Sequence, residues 1–157
     1  MIQSNAKEKK YQKSIQLINS LNKKDEIDNI VKYLYEEFED WIFCGFYIKK
    51  GNQLEISNYY SDNIPCSPIQ MNGVCGQSVI LKNTLIVDDV SKFKNHIVCD
   101  KNSKSEIAIP FIKDSKEYVL DIDSKKLNDF DHIDEKYLKE VIENMLANFI
   151  LRTIKIL

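Results

Sequence analysis

Hydrophobic positions near the start of the chain recur with a helical period. Tyr11, Ile15, Ile18 and Leu21 fall on one face, which predicts an amphipathic helix from about Ala6 to Asn22. Asp25 or a neighbour caps a second helix, whose inner face carries Ile27, Ile30, Val31, Leu34 and Phe38. Aromatic and branched residues then crowd together from Trp41 to Lys49, as in a strand. Gln53 to Tyr60 returns beside it across the turn Lys50-Gly51-Asn52. A polar loop from Ser61 to Ser67 holds Cys66, with Pro65 and Pro68 around it. Gly73 to Lys82 reads as a short helix opening on a glycine turn, and Thr84 to Val87 as a short buried strand. The polar loop from Asp88 to Lys104 carries Cys99, and beyond it Glu106 to Ile112 and Glu117 to Ile122 make a second hairpin around Lys113-Asp114-Ser115. A closing helix runs from about Ile133 to Ile154, capped by Asp131 and marked by Leu138, Val141, Met145, Phe149 and Arg152.

This order satisfies an α+β plan: an antiparallel β-sheet with N- and C-terminal helices packed on one face. No repeat and no linker divides the pattern, so residues 1–157 are expected to form a single domain. Lysine and arginine number 22 against 24 acids, and the lysines are dispersed apart from the group between Lys7 and Lys13. A net charge of −2 gives no reason to expect nucleic acid as a partner. No apolar run approaches the ~20 residues of a membrane span. The first residues, Met1 to Ala6, lack the apolar stretch of a signal peptide. The expected compartment is therefore the cytoplasm, where thiols stay reduced and a disulfide is transient and catalytic.

That expectation gives weight to the cysteines. Cys44, between Phe43 and Gly45 in an apolar strand, reads as core packing. Cys66, Cys75 and Cys99 lie instead in one central stretch, the last beside Asp100 in a polar loop. A zinc site from Cys66, Cys75, Cys99 and His96 lacks any Cys-x-x-Cys pair to support it, so no metal is expected. His96 reads as a loop-fixing residue. Downstream, Asp121 and Asp123 alternate with Ile122, so both carboxylates share one strand face while Ile122 enters the core. Alone, such a pair is an ordinary solvated face. Thiols beside carboxylates point to redox chemistry on a small polar substrate, because thiolate reactivity is set by its neighbours.

Several short peptides, in order, sharpen this. Gly45-Phe46-Tyr47, Cys66, Gly73-Val74-Cys75-Gly76, Val87-Asp88-Asp89-Val90, His96-Ile97-Val98-Cys99-Asp100, Ser105-Glu106 and Leu120-Asp121-Ile122-Asp123-Ser124 together resemble the free methionine-(R)-sulfoxide reductases, a family of single GAF domains. The resemblance implies a GAF-like fold and reduction of a free amino-acid sulfoxide. It implies Cys99 as nucleophile, Cys66 as resolving thiol and Cys75 as a second resolving or relay thiol. Glu106, Asp121 and Asp123 grip the substrate on this reading, and Tyr47 and Phe43 form its aromatic wall. Attack by Cys99 leaves a sulfenic acid, which a neighbouring thiol condenses to a disulfide if their Cα atoms lie ~4.4–6.8 Å apart. No bound cofactor is implied; an external dithiol, most naturally thioredoxin, restores the enzyme. A homodimer follows by analogy alone.

The chain departs from that family in places. Phe43 stands where the family usually has tryptophan, and Trp41 is expected on the same strand face two residues away. Ser61 to Pro65 replaces a glycine-rich approach to Cys66, and Tyr118 replaces a glycine. The alternative from a different class is a non-catalytic GAF-type sensor of a small molecule or of redox state. Stereospecific sulfoxide turnover separates the two.

Overall fold

Segments rich in branched and aromatic residues supply most of six strands: β1 (Trp41–Lys50), β2 (Gln53–Ser61), β3 (Ile69–Gln70), β4 (Leu85–Val87), β5 (Ser105–Lys113) and β6 (Lys116–Ser124). They form one sheet in the order β3-β2-β1-β6-β5-β4, with every neighbouring pair antiparallel. Turn chemistry fixes both hairpins. Gly51 takes a φ of +60° between β1 and β2, and Asp114 and Ser115 take φ of 50° and 62° between β5 and β6. Two positive-φ residues across a two-residue loop match the right-handed twist of the strands they join. β3, only two residues long, has no counterpart in the sequence pattern. The computed structural model describes the backbone of residues 2–20 and 26–156, and the side chains of 5–20 and 28–147. Leu21, Asn22 and Asp25, and the side chains of Ile27, Phe149 and Arg152, lie outside the described residues.

Three helices, α1 (Ile2–Ser20), α2 (Glu26–Glu37) and α4 (His132–Ile156), cover one face of the sheet. Tyr11, Ile30, Leu34 and Leu138 are fully buried there against Ile107 and Ile122. Each such aliphatic side chain contributes about 1.5–3 kcal/mol by leaving water. Cys44 lies in this layer, completely buried, as packing demands. The start of α4 is a reciprocal cap. Asp131 accepts from the Ile133 amide at 2.7 Å, and Asp134 accepts from the Asp131 amide at 2.8 Å. Asp134 also accepts from Lys7 and from the Tyr11 hydroxyl, each at 2.6 Å, which ties α1 to α4.

The remaining helix, α3 (Val74–Leu81), packs on the opposite face and builds a second, smaller core from Val74, Val79, Leu54, Ala108 and Val119. Between these layers the sheet contains an irregularity that corrects one expectation. Along β1, Trp41 pairs with Ser124 and Phe43 with Asp123, so two steps on β1 match one on β6. This bulge at Ile42 breaks the alternation. Trp41 consequently turns into the three-helix layer, stacked on Phe38 at 4.1 Å, while Phe43 faces the α3 side. The two aromatics are on opposite faces, not the same one.

Candidate active site

The floor of the site is the α3-side face of the central strands. Asp123 on β6 is flanked in register by Phe43 on β1 and Glu106 on β5, and Asp121 by Gly45 and Ala108. Ile122 between them is fully buried in the other layer, so strand alternation brings both aspartates and Glu106 into one cavity. Glu106 and Asp121 are only 5% and 6% exposed.

Helix α3 supplies one wall. Its Cys75 thiol, buried, donates to Glu106 Oε1 at 3.7 Å. Gly76 lets the segment leading into α3 fold tightly back on the helix, because a Cβ there would collide with the backbone of Met71. Phe43 and Tyr47 form the aromatic wall, with ring centroids 6.1 Å apart. The Tyr47 hydroxyl donates to the carbonyl of Cys66 at 2.9 Å.

Two loops close the top. Cys66 and Cys99 are joined by a disulfide, with Cα atoms 5.5 Å apart. Asn63 donates to Asp100 at 2.8 Å beside it, a second tie between the same two loops. The loop of Cys99 returns to the floor through Ser103, whose hydroxyl donates to Asp123 Oδ1 at 2.5 Å. It also returns through His96, whose Nδ1 stands 3.7 Å from Glu106 Oε2. Seven of the eight residues singled out in the sequence line this cavity, and Cys66 is bonded to it through Cys99. Ser103 and Asn63 were not foreseen. They sit in polar loops without a periodic signal, and only the long-range closure of those loops gives them partners.

Burial sets the electrostatics. It raises the carboxyls of Glu106 and Asp121 well above the usual range, and their neighbouring carboxylates raise them further. Burial pushes Asp123 up to about 6, against the hydrogen bond from Ser103, which favours its charged form. Burial and the same carboxylates keep the Cys75 thiol protonated. Burial also lowers His96, whose imidazole is therefore neutral at pH 7. One carboxylate oxygen, Asp121 Oδ1, is buried with no hydrogen-bond partner. The site can therefore donate protons from buried carboxyls and accept a cation at the more ionised Asp123. Cys75 Sγ and oxygens of Glu106 and Asp121 lie within 4.8 Å of one another, donor types that also suit a metal ion. The zinc set weighed from the sequence loses Cys66 and Cys99 to their mutual disulfide.

A disulfide above a buried acidic floor, on a curled antiparallel sheet with helices on both faces, defines a GAF-type fold with a thiol–disulfide site. No protein-family model matches the chain. The free methionine-R-sulfoxide reductase of Escherichia coli is 34% identical over 119 residues, covering 74% of this chain and 72% of that protein. GAF domain-containing protein A of Dictyostelium discoideum is 38% identical over 150 residues, covering 90% and 94%. The free methionine-R-sulfoxide reductase of Neisseria meningitidis, solved with its substrate, superposes with a TM-score of 0.77 at 29% identity, covering 88% of this chain and 85% of that one. The chain belongs to the free methionine-(R)-sulfoxide reductase family.

Proposed function

We propose that the protein reduces free L-methionine-(R)-sulfoxide to methionine by thiol chemistry at Cys99. One juxtaposition carries the reading: Cys99 lines the carboxylate cavity while bonded to Cys66. The Cys99 thiolate attacks the sulfoxide sulfur, and the oxygen, protonated by a buried carboxyl of Glu106 or Asp121, passes to Cys99 as methionine leaves. The Cys66 thiol then attacks the sulfenic sulfur, the disulfide forms and water departs. A dithiol of thioredoxin type returns two electrons and two protons. Cys75, buried and protonated, serves as a hydrogen-bond donor to Glu106 on this reading, and Cys66 as the resolving thiol.

Asp123, the most readily ionised of the three acids, holds the substrate ammonium. Phe43 and Tyr47 pack against the methyl-thio end, where sulfur–aromatic contacts add about 0.3–1.5 kcal/mol. Because the ammonium must be free to reach Asp123, methionine sulfoxide within a peptide is excluded. The protein acts in the cytoplasm, where its disulfide is transient, and as a homodimer. Among the described residues no helix is long and apolar enough to cross a membrane.

The test is thioredoxin-coupled turnover of the free (R) compound, with the free (S) epimer and a sulfoxide-containing peptide as controls. Turnover of the (R) compound alone is the expected result. Equal turnover of all three would overturn the pocket, and none at all would overturn the activity.

A further inference from the structure

Cys75 Sγ, an oxygen of Glu106 and an oxygen of Asp121 all lie within 4.8 Å of one another on the wall and floor of the cavity. All three residues are more than nine-tenths buried. Among the described residues no other three thiol, imidazole or carboxylate donors meet in this way. The elements hold them firmly, with Glu106 on β5, Asp121 on β6 and Cys75 in the first turn of α3. The thiol sulfur stands 3.7 Å from Glu106 Oε1. A tetrahedral zinc ion with sulfur at about 2.3 Å and oxygen at about 2.0 Å holds those two atoms about 3.5 Å apart. The spacing is therefore close to one edge of such an ion's coordination shell. A second observation points the same way. Asp121 Oδ1 is buried with no hydrogen-bond partner among the described residues. A buried polar atom left unpaired is costly, and a cation beside it supplies the missing partner.

We infer that Cys75, Glu106 and Asp121 form a binding site for a divalent, thiol-seeking cation of the zinc class, and that this ion and the sulfoxide substrate exclude one another. Binding of the ion stands on the cluster alone, whereas the exclusion rests on the activity proposed above. The donor mix selects the ion. Magnesium and calcium take oxygen ligands, while a thiolate with two carboxylates suits zinc and its neighbours. On binding, the Cys75 thiol and the protonated carboxyls give up their protons to solvent. The freed lone pairs make the metal bonds, and no electrons change hands. Burial opposes three bare anions side by side, and a divalent cation among them removes that opposition. Three protein ligands leave a fourth position of the ion for water. Ile64, on the rim of the cavity, is 90% exposed, so the cavity reaches solvent and the ion has a way in. Once seated, it occupies the same carboxylates that the substrate needs.

The test uses the disulfide form, in which Cys66 and Cys99 are bonded and only Cys44 and Cys75 are free. No reductant is then needed that would itself bind the probe, which is cobalt(II). One equivalent should produce a sulfur-to-cobalt charge-transfer band together with the visible bands of a tetrahedral ion. Zinc should bleach both, and a large excess of magnesium should not. Cys75→Ser should remove the charge-transfer band, whereas Cys44→Ala, in the other core layer, should leave it in place. Asp121→Asn should keep the band and weaken cobalt binding by about tenfold or more, since even outer-shell losses cost that much. Free L-methionine-(R)-sulfoxide should raise the cobalt concentration needed for half-occupancy. No charge-transfer band in the wild type, or an unchanged band in Cys75→Ser, would overturn the site. Cobalt binding indifferent to the sulfoxide would overturn the exclusion. Turnover decides the activity separately: a protein that binds cobalt through Cys75 but turns over no sulfoxide would keep the site and lose the activity.

Discussion

The hydroxyl of Tyr47 donates to the main-chain carbonyl of Cys66 at 2.9 Å. A residue expected only as part of an aromatic wall therefore also holds the loop that carries the half-buried cysteine of the disulfide. Tyr47→Phe removes that bond and keeps the ring. It should cost about 0.5–1.5 kcal/mol in stability. Its signature should be slower disulfide closure, seen as more sulfenic acid trapped per turnover with little change in KM.

Cys99→Ser should abolish turnover while the far-ultraviolet circular dichroism and Tm stay those of the reduced protein. Cys66→Ser should still release one equivalent of methionine per chain and stall as a sulfenic acid, detectable by mass. Full steady-state activity in the first variant would remove Cys99 from the role of nucleophile.

Asp123 makes a prediction with a pH axis. Burial raises its carboxyl to about 6 from 3.8. Between those values the folded chain keeps a proton that the unfolded chain has released, so stability falls as pH rises through the window and remains lower above it. Asp123→Asn should therefore raise Tm at pH 7, by about 2–4 °C per kcal/mol recovered, and make no difference below about pH 3.8. The same variant should weaken binding of the free amino acid by about tenfold or more, the scale of a lost charged hydrogen bond. In the wild type KM should fall as pH rises through about 6, and this dependence should vanish in the variant. An unchanged KM would argue against Asp123 as the ammonium partner.

Gly76→Ala asks whether the tight fold of the Met71 segment onto α3 matters. The added methyl would meet the Met71 backbone, which has no flexible end to yield. A loss of about 1–3 kcal/mol in urea unfolding is expected. A larger proportional loss of activity than of folded protein should accompany it, because α3 carries Cys75 to Glu106.

What the sequence disclosed followed from how local each signal was. The acidic face of β6 was legible because strand alternation around Ile122 is a property of three consecutive residues. The β5–β6 turn was legible for the same reason. The Asp131 cap at α4 was equally local, although α1 begins at Ile2, before the expected Ala6. The face of Trp41 was not legible, because the bulge at Ile42 is decided by how β1 meets β6, some eighty residues later. Ser103 and Asn63 escaped notice for a related reason: their partners, Asp123 and Asp100, come from elsewhere in the chain. The place of α3 on the far side of the sheet is likewise a matter of tertiary packing.

The bulge at Ile42 has a further consequence for how this site can diverge. Because it sends neighbouring aromatics to opposite layers, Trp41 is no spare indole for the pocket, however near it stands in the sequence. A larger ring at position 43 can come only from substitution at that position itself. An insertion or deletion that undid the bulge would exchange the contents of both cores at once. Insertions and deletions in β1 thus couple the pocket wall to the helical core, whereas substitution at position 43 alters the wall alone.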